Sequence, residues 1–501
     1  MYLIKIHFYL LTKISLFMKH FFVKGVFALT LILLSFSAAL AQPCQVTIRS
    51  NITANTTWGA GADSVYCLDG LVYVQPGVTL TILPGTIIKG LATPTRTGVA
   101  STLLVARGAF IIANGTAAEP IVFTAERDNV ADPFDVGQFE QGLWGGLIVL
   151  GSGILNSPET GRNTTTGFIE ENIEGIPEGD PLNIYGGNNN ADSSGVLRYI
   201  SIRHGGRELT QDNEINGLTL GGVGNRTVLE YIEVYANSDD GIEWFGGAAN
   251  LKYAVVAFCG DDSYDYDQGS NFNGQFWLSV GDNRSGSNRA GEHDGATSPE
   301  RATPFTIPNI SNVTYIGKGA APTGEPEIII FRDNAGGRYR NSIFCDSNTG
   351  IRVELNFNET VTSNTQLNAG NLAVQNNNFG GGTLFIPSIA FNIVAASQVP
   401  SSDARFPLQN NQLNLARNVA AGIFNASGNV LTQGCPITTN TSRNDSSNGL
   451  NPRPTTTAAT NFTGAQFSIP FFDKVTYRGA FGPNDTWANW THLAQRGILV
   501  R

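Results

Sequence analysis

The chain of 501 residues has only two methionines, Met1 and Met18, so a core formed beyond residue 18 has no flexible thioether filler. It has to be packed from Val, Ile, Leu and Phe, whose stiff branched or planar side chains suit strands. Charged residues make up only 14%, and acids outnumber bases by 41 to 31, for a net charge of −10. A partner with a phosphate backbone would be repelled, which excludes nucleic acid. Helical periodicity is nearly absent. Also missing are a phosphate-binding glycine-rich loop, a nucleophile elbow and a Cys/His cluster with zinc-ligand spacing. Five cysteines cannot all pair within one chain. Cys44 and Cys67 bracket a short segment and are expected to staple the N-terminal end. Cys345 with Cys435 is a weaker pairing, and Cys259, which follows Val255-Val256-Ala257-Phe258, reads as a buried free thiol.

Lys19 and Lys24 precede an apolar run from Val26 to Leu40 that ends in the small-residue site Ala39-Leu40-Ala41. This is the pattern of a secretory signal peptide over residues 1–41, with translation expected to start at Met18. The run is shorter than the roughly 20 residues a spanning helix needs, so no membrane span is expected after cleavage. Residues 1–41 hold four lysines and no acid, so their removal deepens the net charge from −10 to −14. The expected location is outside the cytoplasm, whether secreted, at the cell surface or in the periplasm.

What the chain has in abundance is glycine, 57 residues, set between short β-type runs such as Val78 to Ile82, Leu103 to Val105, Pro120 to Thr124 and Leu147 to Leu150. A repeat decides how such runs assemble. Tyr231-Ile232-Glu233-Val234 recurs as Tyr253-Ala254-Val255-Val256, and Asp239-Asp240 recurs as Asp261-Asp262, both 22 residues later. Ile242 then falls on Tyr264, Glu243 on Asp265 and Trp244 on Tyr266. A sandwich requires no such register, whereas a coil with one turn every 22 residues stacks equivalent positions about 4.8 Å apart. The expectation is an all-β, right-handed parallel β-helix over residues 78–355, after an N-terminal cap at 42–77. Longer excursions at 128–140, 160–190 and 282–306 should bulge from one face. Beyond Glu354 the period is lost, and residues 356–501 form a less regular β region. Residues 397–418 are expected to include a helix, and Phe471 to Trp490 to pack back and cap an open strand edge.

The segments Leu80-Thr81-Ile82-Leu83-Pro84-Gly85-Thr86, Leu143-Trp144-Gly145-Gly146, Asn216 to Gly224, Asp239-Asp240-Gly241-Ile242-Glu243 and Tyr477-Arg478-Gly479-Ala480-Phe481 carry a resemblance. Together they resemble a largely uncharacterised family of exported bacterial right-handed parallel β-helix proteins. Many of its members carry a C-terminal sorting domain for type IX secretion; this chain departs from them by ending at Arg501, soon after the Tyr477 segment. The resemblance implies a fold and a compartment but no reaction.

The strongest chemical feature is a stacked set of acids, Asp239, Asp240 and Glu243 on one turn with Asp261, Asp262, Asp265 and Asp267 on the next. Like charges this close need a cation or hydrogen bonds. Ca²⁺ takes about six to eight hard oxygen ligands in flexible geometry and suits such a set. The bland alternative has Asp239, Asp240, Asp261 and Asp262 bonding backbone amides at successive corners. A catalytic alternative compares Asn237-Ser238-Asp239 and Gly260-Asp261-Asp262 with the acidic motifs of polygalacturonase-type glycosidases: Asp239 and Asp262 would activate water and Asp261 would be the acid. The Gly-His-Gly and Arg-Ile-Lys motifs of those enzymes are missing here. Trp244, Tyr266 and Trp277 are candidates to stack on sugar rings. His293 reads as a solvated side chain with a lesser claim as a metal ligand, and His204 as a corner residue. Arg332, Arg338 and Arg340 are candidates to face an acidic glycan or serve as a lyase base. The resulting expectation is an exported, monomeric, non-catalytic solenoid that presents a Ca²⁺-stabilised surface to a polysaccharide or cell-surface partner. The alternative is a polysaccharide hydrolase or lyase.

Overall fold

The computed structural model describes residues 41–59, 64–96, 100–207, 214–281, 289–319, 327–347, 349–355, 361–375, 378–380, 391–395, 430–432, 449–455 and 466–501. Apart from one antiparallel pair in the 160–190 excursion, the described strands pair in parallel with those of neighbouring turns, and the chain winds into a right-handed parallel β-helix. The 22-residue repeat is the observed register: Ile242 pairs with Tyr264, Glu243 with Asp265 and Trp244 with Tyr266. One wall is a ten-stranded sheet that begins at Leu71–Val74 and ends at Phe391–Ala395. A larger sheet of 17 strands forms the rest of the coil.

In the larger sheet, five successive strands from Gly195–Arg203 to Asn309–Ile316 each turn a corner at one residue of positive φ: Tyr199, Tyr231, Tyr253, Phe276 and Asn312. This backbone region is costly for a side chain with a Cβ, and more so for bulky ones. Stacking offsets part of that cost, since the ring centroids of Tyr199 and Tyr231 lie 4.3 Å apart, those of Tyr231 and Tyr253 4.5 Å, and those of Tyr253 and Phe276 5.0 Å.

The interior is filled by a second aromatic column, and here three sequence expectations are corrected. Trp244, Tyr266 and Trp277 point into the coil and are at most 1% exposed, so none can reach a sugar ring. Alternation along a strand sends Trp244 and Tyr266 inward because Glu243 and Asp265 point outward. Trp277 stacks on Trp244 at 5.6 Å and on Tyr264 at 4.7 Å. Their polar tips are satisfied inside: Trp244 Nε1 donates to the Ala249 carbonyl, Trp277 Nε1 to that of Leu251, and Tyr266 Oη to that of Gly336. His293 is also corrected. It lies on the Gly291–Asp294 strand, fully buried, stacked 3.9 Å from Tyr266 and hydrogen-bonded through Nε2 to Tyr339 Oη at 2.7 Å.

Strand pairing begins earlier than the expected boundary at residue 78. Val46–Ile48 already pairs with Val65–Leu68, and a Cys44–Cys67 disulfide fastens this first turn. Cys259 is a buried thiol outside any disulfide. Cys345 is disulfide-bonded, while Cys435, its expected partner, lies outside the described residues, as do residues 397–418. Pairing also continues past the loss of sequence period, through Leu372–Gln375 to Phe391–Ala395 and Val430–Thr432. No described helix is long and apolar enough to cross a membrane.

The C-terminal segment packs back on the solenoid, but along its flank rather than over an end strand. Its Ala480, Phe481, Ala488, Leu493 and Ile498 cover the outward apolar side chains of Tyr235, Val255, Leu278, Val280 and Ile316 on successive turns. Those turns would otherwise leave an apolar stripe in water, which is the physical reason for the placement. The excursion at 160–190 behaves similarly. Ile169, Ile173, Ile176 and Tyr185 lie over Leu104, Ile148 and Leu150, covering the outer face of the first turns of the ten-stranded sheet.

Candidate functional site

The outer face of the ten-stranded sheet becomes acidic where the 160–190 excursion stops covering it. Alternation and register place Thr219, Glu243, Asp265 and Glu292 in one outward row across four adjacent strands. The corner before these strands carries Asp239 and Asp240 on one turn and Asp261 and Asp262 on the next. Two of these acids are corner staples. Asp240 Oδ1 accepts the Asp262 N–H at 2.7 Å, and Asp262 Oδ1 accepts the Arg289 N–H.

Two overlapping groups of oxygens could hold a cation. Asp240, Glu243 and Asp265 each offer one oxygen, all within 4.8 Å of one another, and so do Asp239, Asp240 and Asp261. Asp240 belongs to both. Asp240 and Glu243 are buried, Asp239 and Asp265 half-buried, and Asp261 exposed. Among the described residues no Lys or Arg forms a salt bridge with any of these five. Asp265 Oδ1 is shut off from solvent without a hydrogen-bond partner among the described residues. Asp267 lies one outward position further along its strand, beside Gln268, whose N–H it accepts.

Burial and mutual repulsion raise these acids well above the ordinary carboxylate range. Burial first, then Glu174, Glu214 and Asp261, pushes Asp239 up to about 8. Burial and Asp262 push Asp261 up to about 6, and burial with Asp294 pushes Asp267 up to about 7. Asp240, Glu243 and Asp265 are likewise raised well above the ordinary range, by burial and by their acidic neighbours. Crowded buried carboxylates of this kind either keep protons or take up a cation.

One turn further on, the same face is neutralised from within. Arg289 pairs with Glu292 and with Asp262 at 3.4 Å, and Arg332 pairs with Glu292 and with Asp294 at 2.7 Å. Arg352 reaches Glu327 at 3.1 Å. Burial acts against the charge on Arg332, but its bonds to Asp294 and the charges of Glu292 and Asp265 outweigh it and raise its pKa. A lyase base has to give up its proton, and Arg332 is held in the opposite direction. Arg338 and Arg340 sit on the Gly337–Arg340 strand of the larger sheet, away from this face.

The inverting-hydrolase arrangement fares no better. Inverting hydrolysis needs carboxyl groups about 6.5–9.5 Å apart, with a water between them. Asp239 and Asp261 present oxygens within 4.8 Å, and Asp262 has both oxygens engaged by Arg289. His204 is a corner residue with φ of 60°. It is fully buried, with Nδ1 against the Glu140 carbonyl.

Several members of the site were missed in the sequence. Glu174 arrives from the excursion, and Asn216 Nδ2 bridges it to Glu243, donating to Glu174 Oε1 at 3.2 Å and Glu243 Oε2 at 2.5 Å. Arg289, Glu292 and Asp294 come after the 22-residue spacing of the sequence is broken, which hides their register. The Glu292-His293-Asp294 alternation was the one available signal for a strand there.

Residues 50–416 match the family described as "Pectate-lyase like beta helix domain". No curated protein and no solved structure matches the chain. With the match spanning most of its length, and with a coil of parallel strands to carry it, the chain belongs to the pectate-lyase-like β-helix family.

Proposed function

We propose that this protein is an exported, monomeric solenoid that binds an acidic polysaccharide on the outer face of its ten-stranded sheet without cleaving it, using Ca²⁺ held by Asp240, Glu243 and Asp265. The observation that carries this reading is the split along one face: carboxylates with no ion pair to a described Lys or Arg on the Asp240–Asp265 side, and arginines paired with acids on the Arg332 side. An anionic glycan would be repelled by the first region, and in the second the arginines Arg289, Arg332 and Arg352 are already paired with acids. A divalent ion at the carboxylates offsets most of the local negative charge and leaves coordination positions for glycan oxygens. Asp239 and Asp261 lie at the exposed end of the same set and would complete a second, looser position.

The reading is tested by titrating Ca²⁺ into the metal-free chain by calorimetry, with Glu243→Gln and Asp261→Asn alongside. Saturable binding that Glu243→Gln weakens more than Asp261→Asn supports it. Absence of binding in folded protein would remove it.

A further inference from the structure

The corner ladder of the larger sheet ends at Tyr199. One face of that ring stacks on Tyr231, and among the described residues no ring stacks in parallel on the other. The preceding turn has no aromatic at the equivalent corner. Ile121 pairs with Ile200, and the chain just before Ile121 brings Ala117 to this level. A cavity of about 560 Å³ opens here between the ladder and the C-terminal segment, lined by Ala117, Tyr199, Tyr231, Asn484, Asn489 and Trp490 among others.

The lining has a definite chemistry. Trp490 meets Tyr199 edge-on at 5.5 Å, so two aromatic planes form a corner. The Trp490 side chain is more than nine-tenths buried, and its indole N–H has no hydrogen-bond partner among the described residues. Asn484, Thr486 and Asn489 add neutral donors and acceptors at the rim. No Lys or Arg lines the cavity, and its one acid, Asp485, is already bonded by Tyr477 Oη–H at 3.0 Å and the Gly482 N–H at 2.7 Å. A flat apolar face flanked by uncharged polar groups fits a neutral ring that is apolar on its faces and hydroxylated at its edge.

We propose that this cavity is a second saccharide site, for a neutral sugar unit that stacks on the open face of Tyr199 as the next step of the ladder. Its hydroxyls would bond the Asn484 and Asn489 amides and the Thr486 hydroxyl. The site is on the flank of the solenoid, separate from the acidic face, and needs no cation.

The test is equilibrium binding of cellohexaose, maltohexaose and xylohexaose to the full chain in EDTA, read by tryptophan fluorescence and calorimetry. Saturable binding of at least one is expected. Tyr199→Ala should weaken it by roughly tenfold, as expected for loss of one stacking contact, and Ala117→Trp, which fills the cavity and leaves every ring of the ladder in the chain, should abolish it. Glu243→Gln should leave it unchanged, which separates this site from the Ca²⁺-dependent one. Absence of saturable binding, or binding indifferent to Ala117→Trp, would overturn the proposal.

Discussion

Glu233 and His492, 259 residues apart, are joined by a hydrogen bond from the His492 backbone N–H to Glu233 Oε2 at 2.8 Å. The Leu493 N–H donates to Oε1 at 3.0 Å, and Ser201 Oγ–H to Oε2 at 2.6 Å. A fully buried carboxylate in the solenoid thus holds the first turn of the C-terminal helix, where free N–H groups favour negative charge. Glu233→Ala would strand these donors in a dry interior, and the expected loss is about 2–4 kcal/mol. Denaturant unfolding measures it, and limited proteolysis should release the C-terminal segment from the variant well before the wild type.

Stability should depend on pH in a direction set by the crowded acids. In the folded chain burial pushes Asp239 up to about 8 and Asp261 up to about 6, while the unfolded chain loses these protons near pH 4. The folded state therefore binds more protons between about pH 4 and 8, so in EDTA the contribution of these groups to stability falls as pH rises through that window. Ca²⁺ competes with the same protons. Its stabilising effect should grow with pH and reach about 2–3 kcal/mol at a hundredfold excess over Kd, as melting curves with and without Ca²⁺ at pH 5 and pH 8 will report.

Trp277 separates packing from recognition. Trp277→Ala removes the ring that stacks on both Trp244 and Tyr264 and should cost about 3–5 kcal/mol. Below the melting temperature of the variant, Ca²⁺ affinity should be unchanged. A loss of polysaccharide binding in folded Trp277→Ala would contradict its placement in the core.

The solenoid was legible because its repeat is written twice, in Tyr231/Tyr253 and Asp239/Asp261, and parallel strands keep the spacing of their turns. The row Glu243–Asp265 followed from the same register. The inward direction of Trp244 and Tyr266 was contained in that row too, since neighbours on a strand face opposite ways. Large aromatics in a glycine-rich chain nevertheless invited a surface role. Trp277 was harder, because it pairs with Ala254 in the other sheet. Glu174 and Arg289 could not be placed at all. Glu174 reaches the site on an excursion whose path is fixed by packing on the sheet, and Arg289 lies beyond the point where the 22-residue spacing of the sequence is broken, so no period locates either. The C-terminal segment was expected to seek an edge, and the apolar stripe Tyr235, Val255, Leu278 drew it to the flank instead.

Asp261 and Glu243 should separate catalysis from binding. Asp261 is exposed and peripheral to the Asp240–Glu243–Asp265 group, whereas Glu243 is central and buried. Asp261→Asn is expected to keep most Ca²⁺-dependent glycan binding, and Glu243→Gln to lose about tenfold or more, as removal of one charged ligand implies. Co-sedimentation with polygalacturonate in Ca²⁺ and in EDTA checks both.

The most direct measurement is to incubate the purified protein with polygalacturonate in Ca²⁺ and follow bound protein together with new reducing ends and unsaturated ends. The account predicts binding that EDTA reverses, with no new ends of either kind. Chain cleavage that Asp261→Asn or an Arg332→Lys substitution abolishes in folded protein would contradict it and make this face an active site.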